Sequence, residues 1–214
     1  MGEIEGSGIG TAATPAAEYS AAGARGPVGI HCRRVKALSL WQPHAAAIAL
    51  GLKLWETRDW PTRYRGPLAI HAAKRPWNDG GEWHCLAGAA LGVHCVKLVR
   101  DRFPDIEHEH LGRAARALRD RVMALGAVIC IVDLVDCVPT SDLRGKIGAA
   151  EFWGDFGDGE TGAGRFAFKL ENLRLLQKPL PWRGMQGFFE VDLGGDEVAL
   201  PQPPQLDLFA EMPL

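Results

Sequence analysis

The sequence predicts an α+β fold, a small mixed β-barrel with two or three flanking helices and disordered N- and C-terminal tails. Three observations lead to this prediction. Short runs with strand character are separated by Gly and Pro turns, only two or three segments have helical periodicity, and the composition changes sharply near both ends of the 214-residue chain. A βαβ sheet would need a helix between most of its strands, so a barrel is favoured.

Both ends of the chain are predicted to be disordered. Residues 1–34 are rich in Gly, Ala, Ser and Thr and carry few large apolar side chains, so they cannot offset their own ordering entropy. The periodic pattern begins abruptly at Val35, which suggests that translation starts there and that the extension is a start-site artefact. Residues 194–214 contain four prolines and no basic residue, which predicts a flexible tail. We expect the folded domain over residues 35–193.

The first half of the domain contains three predicted strands and one helix. Residues 35–41 alternate between apolar and polar side chains as a half-buried strand does. Pro43 suits the first turn of a helix that ends near Gly51. Further strands are expected over residues 53–58 and 67–73.

The second half contains one amphipathic helix and three more strands. Residues 127–138 form a long β-branched run, and residues 165–176 and 187–193 also have strand character. Residues 107–125 place apolar side chains at spacings of three and four, which predicts an amphipathic helix. Its apolar stripe consists of Leu111, Ala115, Leu118, Val122 and Leu125.

Composition narrows the functional classes. No run approaches the roughly 18 apolar residues of a membrane span, and the acidic Glu3 and Glu5 are unlike a secretory signal, so we expect a cytoplasmic protein with no membrane partner. Five cysteines without a C-x-x-C spacing favour reduced thiols. The whole chain has a net charge of −2, but residues 35–193 hold 21 basic and 19 acidic residues, so the domain is faintly basic.

Chemically capable side chains concentrate around the predicted second strand. In an extended segment Glu56 and Arg58 share one face, and Lys53 lies opposite unless a bulge rotates it. A carboxylate and two cations beside aromatic residues suit a pocket that stacks a base and holds a phosphate or the polar edge of the base. The plain alternative is a surface ion pair between Glu56 and Arg58, with Trp41 and Trp55 in the core.

The order of these residues resembles a family signature. The pattern Gly51-x-Lys53-x-x-Glu56-x-Arg58, preceded by Leu38-Ser39-Leu40-Trp41-Gln42-Pro43, closely resembles that of the ASCH domain family, which belongs to the PUA-like superfold. The segments Tyr64-Arg65-Gly66-Pro67 and Gly184-Met185-Gln186-Gly187 are similar to those of bacterial and phage members. The resemblance covers residues 35–193. It implies a PUA-like mixed β-barrel with a cleft for RNA or modified nucleic acid.

The leading interpretation is therefore a nucleic-acid-binding ASCH domain that recognises RNA or a modified base in its cleft. Truncating Lys53, Glu56 or Arg58 is expected to damage ligand binding more than folding, because polar side chains at a cleft edge tolerate truncation. Trp41→Ala is expected to destabilise the core instead. The residues expected to contact nucleic acid are Trp41, Gln42, Lys53, Glu56, Arg58, Tyr64, Arg65 and Lys74.

Two alternatives stay open. A ribonuclease or a hydrolase of modified nucleosides would use the same cleft: Lys53 and Arg58 would stabilise a phosphorane, and Glu56 or His71 would move the proton. The acetylcytidine amidohydrolases that resemble this fold carry a threonine nucleophile where this chain has Glu56, which disfavours that activity. The other alternative is a small-molecule or regulatory module that keeps the barrel for partner contacts alone.

No metal and no cofactor are predicted. The two pairs His84-Cys85 and His94-Cys95 offer zinc-type donors, but their spacing matches no familiar zinc module. The Gly- and Asp-rich residues 154–162 depart from the spacing of an EF-hand, and a loop at the edge of the cleft is the simpler interpretation.

The tail carries a further motif. Gln205-Leu206-Asp207-Leu208-Phe209 closely resembles the Gln-Leu-Ser/Asp-Leu-Phe motif by which bacterial polymerases and repair factors bind the replication sliding clamp. Leu208 and Phe209 can fill an apolar pocket, and the preceding prolines reduce the entropy lost on docking. We therefore expect a clamp partner and a role in DNA metabolism, in a bacterium or a phage. A short apolar patch that folds back on the barrel is the alternative.

Overall fold

The computed structural model describes residues 34–75, 82–157 and 164–194. Within these ranges there are three α-helices, α1 (His44–Ala49), α2 (Glu82–Arg102) and α3 (His108–Val122), and two short 3-10 helices, Thr140–Asp142 and Gly148–Trp153. The strands are β1 (Arg34–Leu40), β2 (Trp55–Arg58), β3 (Gly66–Ala72), β4 (Ala127–Pro139), β5 (Phe166–Pro181) and β6 (Phe188–Asp192).

The strands form one mixed sheet that curls into half a barrel. Six strands lie in the order β2-β5-β4-β3-β1-β6, with β1 and β3 parallel and the other neighbours antiparallel. The pairing of β4 with β5 shifts register at three places along its length. Each such bulge bends the strand and increases its twist, which favours a curled sheet. The predicted α+β class and barrel-like sheet are confirmed.

Both faces of the sheet carry buried apolar side chains. On one face Leu38 and Ile70 pack with residues of all three helices in the larger core. On the other face Val35 and Val128 belong to a smaller cluster. Successive residues of a strand point to opposite faces, so Ser39 continues the row that begins at Val35 and lies at the end of the smaller cluster.

Helix α3 confirms the predicted amphipathic stripe, whereas α2 was not predicted. Leu111, Ala115, Leu118 and Val122 are buried, but Leu125 lies beyond the end of α3 and is exposed. Helix α2 buries positions four residues apart, yet it also exposes apolar side chains such as Val93, so its amphipathic pattern is weak. None of the helices in the described ranges is long and apolar enough to cross a membrane.

The boundaries of several predicted elements differ from the structure. The second strand begins at Trp55 rather than at residue 53, and β5 continues to Pro181 rather than ending near residue 176. The two predicted tails lie almost entirely outside the described residues, and so does the motif at residues 205–209.

Candidate functional site

A cavity of about 400 Å³ opens beside the ends of β1 and β2, and we call it the first cavity. Its lining combines opposite charges. The cations are Lys53, Arg58 and Arg165, the carboxylates are Glu56, Asp59 and Asp155, and the other lining residues are Ser39, Leu40, Trp41, His44, Thr57 and Gly154.

Lys53, Glu56 and Arg58 form an ion triad in the first cavity. The Nζ of Lys53 lies 3.3 Å from Oε2 of Glu56, and Nη2 of Arg58 lies 2.9 Å from Oε1 of the same carboxylate. Lys53 also donates to the carbonyl oxygen of Trp153. The side chains of Lys53 and Glu56 are 1% and 8% exposed, whereas that of Arg58 is 24% exposed. Arg58 is therefore the member of the triad that a ligand can reach most easily.

The local backbone explains how three residues of one short segment converge. Glu56 and Arg58 share a face of β2, as their alternation predicts. Lys53 precedes β2, so strand alternation does not govern its direction, and its amide donates to the carbonyl of Ala47 at 3.1 Å. Gly51 turns the chain out of α1 with a φ of +73°, a conformation that side chains other than glycine rarely adopt.

The charges of the triad set its protonation. Burial by itself would raise the pKa of Glu56, but the positive charges of Lys53 and Arg58 more than offset burial, and the pKa of Glu56 lies below its ordinary value. Burial lowers the pKa of Lys53 despite the attraction of Glu56. The carboxylate at the centre of the triad is therefore ionised and carries a cation on each oxygen.

Two residues of the first cavity, Thr57 and Arg165, connect β2 to a neighbouring loop. The Oγ1 of Thr57 accepts a hydrogen bond from the amide of Asp155 at 3.1 Å. The Nη2 of Arg165 donates to the carbonyl oxygen of Thr57 at 3.3 Å. Gly154 and Asp155 thus lie at the edge of the cleft, where the sequence predicted a loop, while residues 158–162 of that loop lie outside the described residues.

Trp41 lies at the mouth of the first cavity and not in the core. It is 60% exposed, and the guanidinium carbon of Arg75 lies 4.9 Å from the centre of its ring. The assignment of Trp41 to the core was wrong, because β1 ends at Leu40 and Trp41 falls in the turn that follows. Arg75 thus lies over an indole that is otherwise largely exposed.

A second cavity of about 900 Å³ lies on the other side of Ser39. His71 and Lys74 line this second cavity together with Arg183, and Ser39 lines both cavities. Of the predicted contact residues, four line the first cavity and Lys74 lines the second.

His71 is buried and hydrogen-bonded at both ring nitrogens. Its Nδ1 lies 3.0 Å from Oγ of Ser39, and its Nε2 lies 3.0 Å from the carbonyl oxygen of Trp182. A carbonyl only accepts, so Nε2 carries the proton and Nδ1 accepts from the serine hydroxyl. Burial lowers the pKa of His71 below its ordinary value. The neutral ring therefore fixes Ser39 between the two cavities.

Three other predicted contact residues line neither cavity. The amide of Gln42 is buried and donates to the carbonyls of Val122 and Ala124, while its oxygen accepts from the amide of Ala46. The hydroxyl of Tyr64 donates to a neighbouring backbone carbonyl. Arg65 forms an exposed ion pair with a carboxylate on β4. Gln42 therefore connects α1 to α3.

The described members of the two His-Cys pairs lie in different surroundings. His94 makes a hydrogen bond of 3.1 Å to the carbonyl of Leu50, and Cys95 is buried in the larger core, where burial raises the pKa of its thiol to about 11. Cys85 is exposed. In the part of the chain that the structure describes, one group of metal-type ligand atoms does meet: the exposed carboxylates of Glu107 and Glu109 with His110.

Sequence reasoning missed several residues of the two cavities. Ser39 carried one available signal, since it is a polar residue in the row of β1 that is otherwise buried. His44, Arg165 and Arg183 lie far apart along the chain, and no local pattern distinguishes them from other surface residues. Only the pairing of β2 with β5 brings Arg165 beside Thr57.

Fold and site together define an α+β domain with a half-barrel sheet and a buried ion triad beside the end of its first strand. A comparison with protein families matches residues 38–174 to the ASCH domain, which is more than half of the chain. The chain therefore belongs to the ASCH domain family. The matched region runs from β1 into β5 and includes the whole triad. A comparison with curated proteins found no match.

Proposed function

We propose that this ASCH domain binds RNA, or nucleic acid that carries a modified base, with the base in the first cavity. The observation that carries the proposal is the buried triad of Lys53, Glu56 and Arg58 at the floor of an accessible cavity. Membership of the ASCH family supports a nucleic-acid ligand. The binding roles of the individual residues are part of the proposal.

The chemistry of the first cavity suits a base better than a phosphate. Its three cations face three carboxylates, so it has no excess positive charge to attract a phosphate. A base presents both donors and acceptors along its edge, which match the carboxylates and the guanidinium groups. Trp41 at the mouth offers a ring on which a base can stack.

Binding is favoured over catalysis by the state of the candidate proton acceptors. Both oxygens of Glu56 contact cations, and its lowered pKa makes it a weak base. Both ring nitrogens of His71 already have partners within the domain. A ribonuclease or a hydrolase of modified nucleosides that uses the same cleft is the second candidate.

Fluorescence anisotropy with labelled single-stranded RNA of about eight nucleotides tests the proposal, with single-stranded DNA and modified nucleosides in parallel. Arg58→Ala should weaken binding roughly 10- to 100-fold, because it removes a charge-assisted hydrogen bond. Arg119→Ala is the matched control, since Arg119 is also ion-paired but lines neither cavity. It should bind like wild type.

The same samples are assayed for cleavage in the presence of a chelator. Turnover that persists through purification and disappears in the Lys53→Ala variant would establish the enzyme instead. If wild type binds neither nucleic acid nor any nucleoside, the proposal is wrong and a regulatory module is favoured.

A second part of the proposal concerns a partner. We infer that residues Gln205, Leu206, Asp207, Leu208 and Phe209 bind a bacterial replication sliding clamp and place the domain in the DNA metabolism of a bacterium or phage. This rests on the sequence motif, which lies outside the described residues. Surface plasmon resonance on immobilised clamp should show micromolar binding that is lost in the L208A/F209A double variant. Equal signals from the two proteins would rule the interaction out.

A further inference from the structure

The two cavities are adjacent and share Ser39 as a common wall. The backbone carbonyl of Ser39 accepts a hydrogen bond of 2.9 Å from Nη2 of Arg58, which lines the first cavity. Its hydroxyl pairs with His71, which lines the second cavity. Ser39 is thus held from both sides, and a ligand that crosses it contacts both spaces.

Gly184 brings backbone close to this wall. A Cβ atom at Gly184 would lie 2.6 Å from Cε1 of His71 and 2.7 Å from Oγ of Ser39, so no side chain fits there. The segment after β5 therefore approaches Ser39 through bare backbone. Any larger residue at position 184 would press on the wall between the two cavities.

The charges of the two cavities differ. The first cavity balances its cations with carboxylates, whereas the second contains Lys74 and Arg183, and none of the described residues that line it is acidic. An anionic group is therefore better accommodated in the second cavity. The exposed apolar side chains of Leu125 and Met185 also line it and can contact a sugar or a base.

We propose that the second cavity is the subsite for the adjacent nucleotide of the ligand, with Lys74 and Arg183 on its phosphate. This inference rests on the proposed function, in which the first cavity holds a base. It names the ligand class as an oligonucleotide of at least two linked nucleotides rather than a free nucleoside. The bound oligonucleotide passes over Ser39 from the first cavity to the second.

The test uses labelled single-stranded RNA of about eight nucleotides and two unlabelled competitors, a pool of free nucleosides and a pool of 3′,5′-linked dinucleotides. Dinucleotides should compete at concentrations at least about 10-fold lower than free nucleosides, because only they carry the phosphate and span both cavities. Lys74→Ala and Arg183→Ala should each weaken dinucleotide binding about 5- to 10-fold and leave competition by free nucleosides unchanged.

A salt titration separates a phosphate contact from a structural effect. Loss of one phosphate contact to a single strand should reduce the slope of log affinity against log salt by about 0.7. Lys97→Ala is the control, because Lys97 is an exposed lysine on α2 that lines neither cavity. Its slope should match wild type.

Two failures are distinguishable. If labelled RNA binds in an Arg58-dependent manner but dinucleotides have no advantage, or the Lys74 and Arg183 variants behave as wild type, the subsite is wrong and the proposed function stands. If wild type does not bind the labelled RNA at all, both the proposed RNA binding and the subsite in the second cavity are wrong.

Discussion

Ser39 and His71 are paired residues on the parallel strands β1 and β3, and the hydroxyl of Ser39 lies 3.0 Å from Nδ1 of His71. The pair closes one end of the smaller apolar cluster, where the ring of His71 packs edge-on against Phe189 at 5.9 Å. A buried neutral imidazole therefore lies between the smaller apolar cluster and the second cavity.

This pair makes the stability of the domain sensitive to mild acid. The pKa of His71 in the folded protein lies below its ordinary value of 6.5, so the unfolded chain takes up the proton first as the pH falls. Stability should consequently decrease below about pH 6.5, by at most about 1.4 kcal/mol per pH unit for this one group. Thermal melts from about pH 8 to about pH 5 measure the effect.

The His71→Gln variant provides the comparison. Glutamine retains hydrogen bonding but does not titrate in this range, so the variant should be less stable at neutral pH and should lose less stability towards pH 5. An equal loss of melting temperature in the two proteins would show that other groups cause the acid sensitivity.

Glu56→Ala should unfold more readily than the sequence alone suggested. Removal of this carboxylate leaves Lys53 and Arg58 as neighbouring cations, one of them buried, without the negative charge between them. We expect a loss of roughly 3 to 5 kcal/mol in the free energy of unfolding. Glu190→Ala removes a carboxylate that is mostly exposed and should change stability by less than about 0.5 kcal/mol. Urea denaturation of both variants measures the two losses in the free energy of unfolding.

Trp41→Ala and Trp153→Ala should have opposite effects. Trp41 is exposed at the mouth of the first cavity, so its loss should change stability little and weaken RNA binding by about 1 to 3 kcal/mol, the value of one stacked base. Trp153 is buried in the larger core, and its truncation should cost about 3 to 5 kcal/mol of stability. Anisotropy and denaturation of each variant form the test. A Trp41 variant that melts early yet binds normally would contradict the proposed stacking.

Gly184→Ala should disturb the wall between the cavities. The new methyl group would overlap the ring of His71 and the hydroxyl of Ser39, and overpacking of this kind costs about 1 to 3 kcal/mol. Gly112→Ala is a suitable control, because a Cβ there meets nothing within 4 Å and alanine favours the helix. A Gly184→Ala protein as stable as wild type would show that the segment can move away.

The sequence by itself determined the fold class, the family and the shared strand face of Glu56 and Arg58. These features rest on local information: alternation within a strand, the spacing of apolar residues on α3, and a motif whose members lie within eight residues. Helix α2 escaped prediction because apolar residues on its exposed side blur its periodicity.

Only the tertiary structure decided how deeply the triad is buried and which distant residues complete the cavities. Lys53 is covered by the carbonyl of Trp153, and Arg165 reaches Thr57 only because β5 pairs with β2. Trp41 is exposed because β1 ends one residue earlier. Burial and long-range charge depend on contacts between segments far apart in the chain, and the local pattern of side chains contains no record of them.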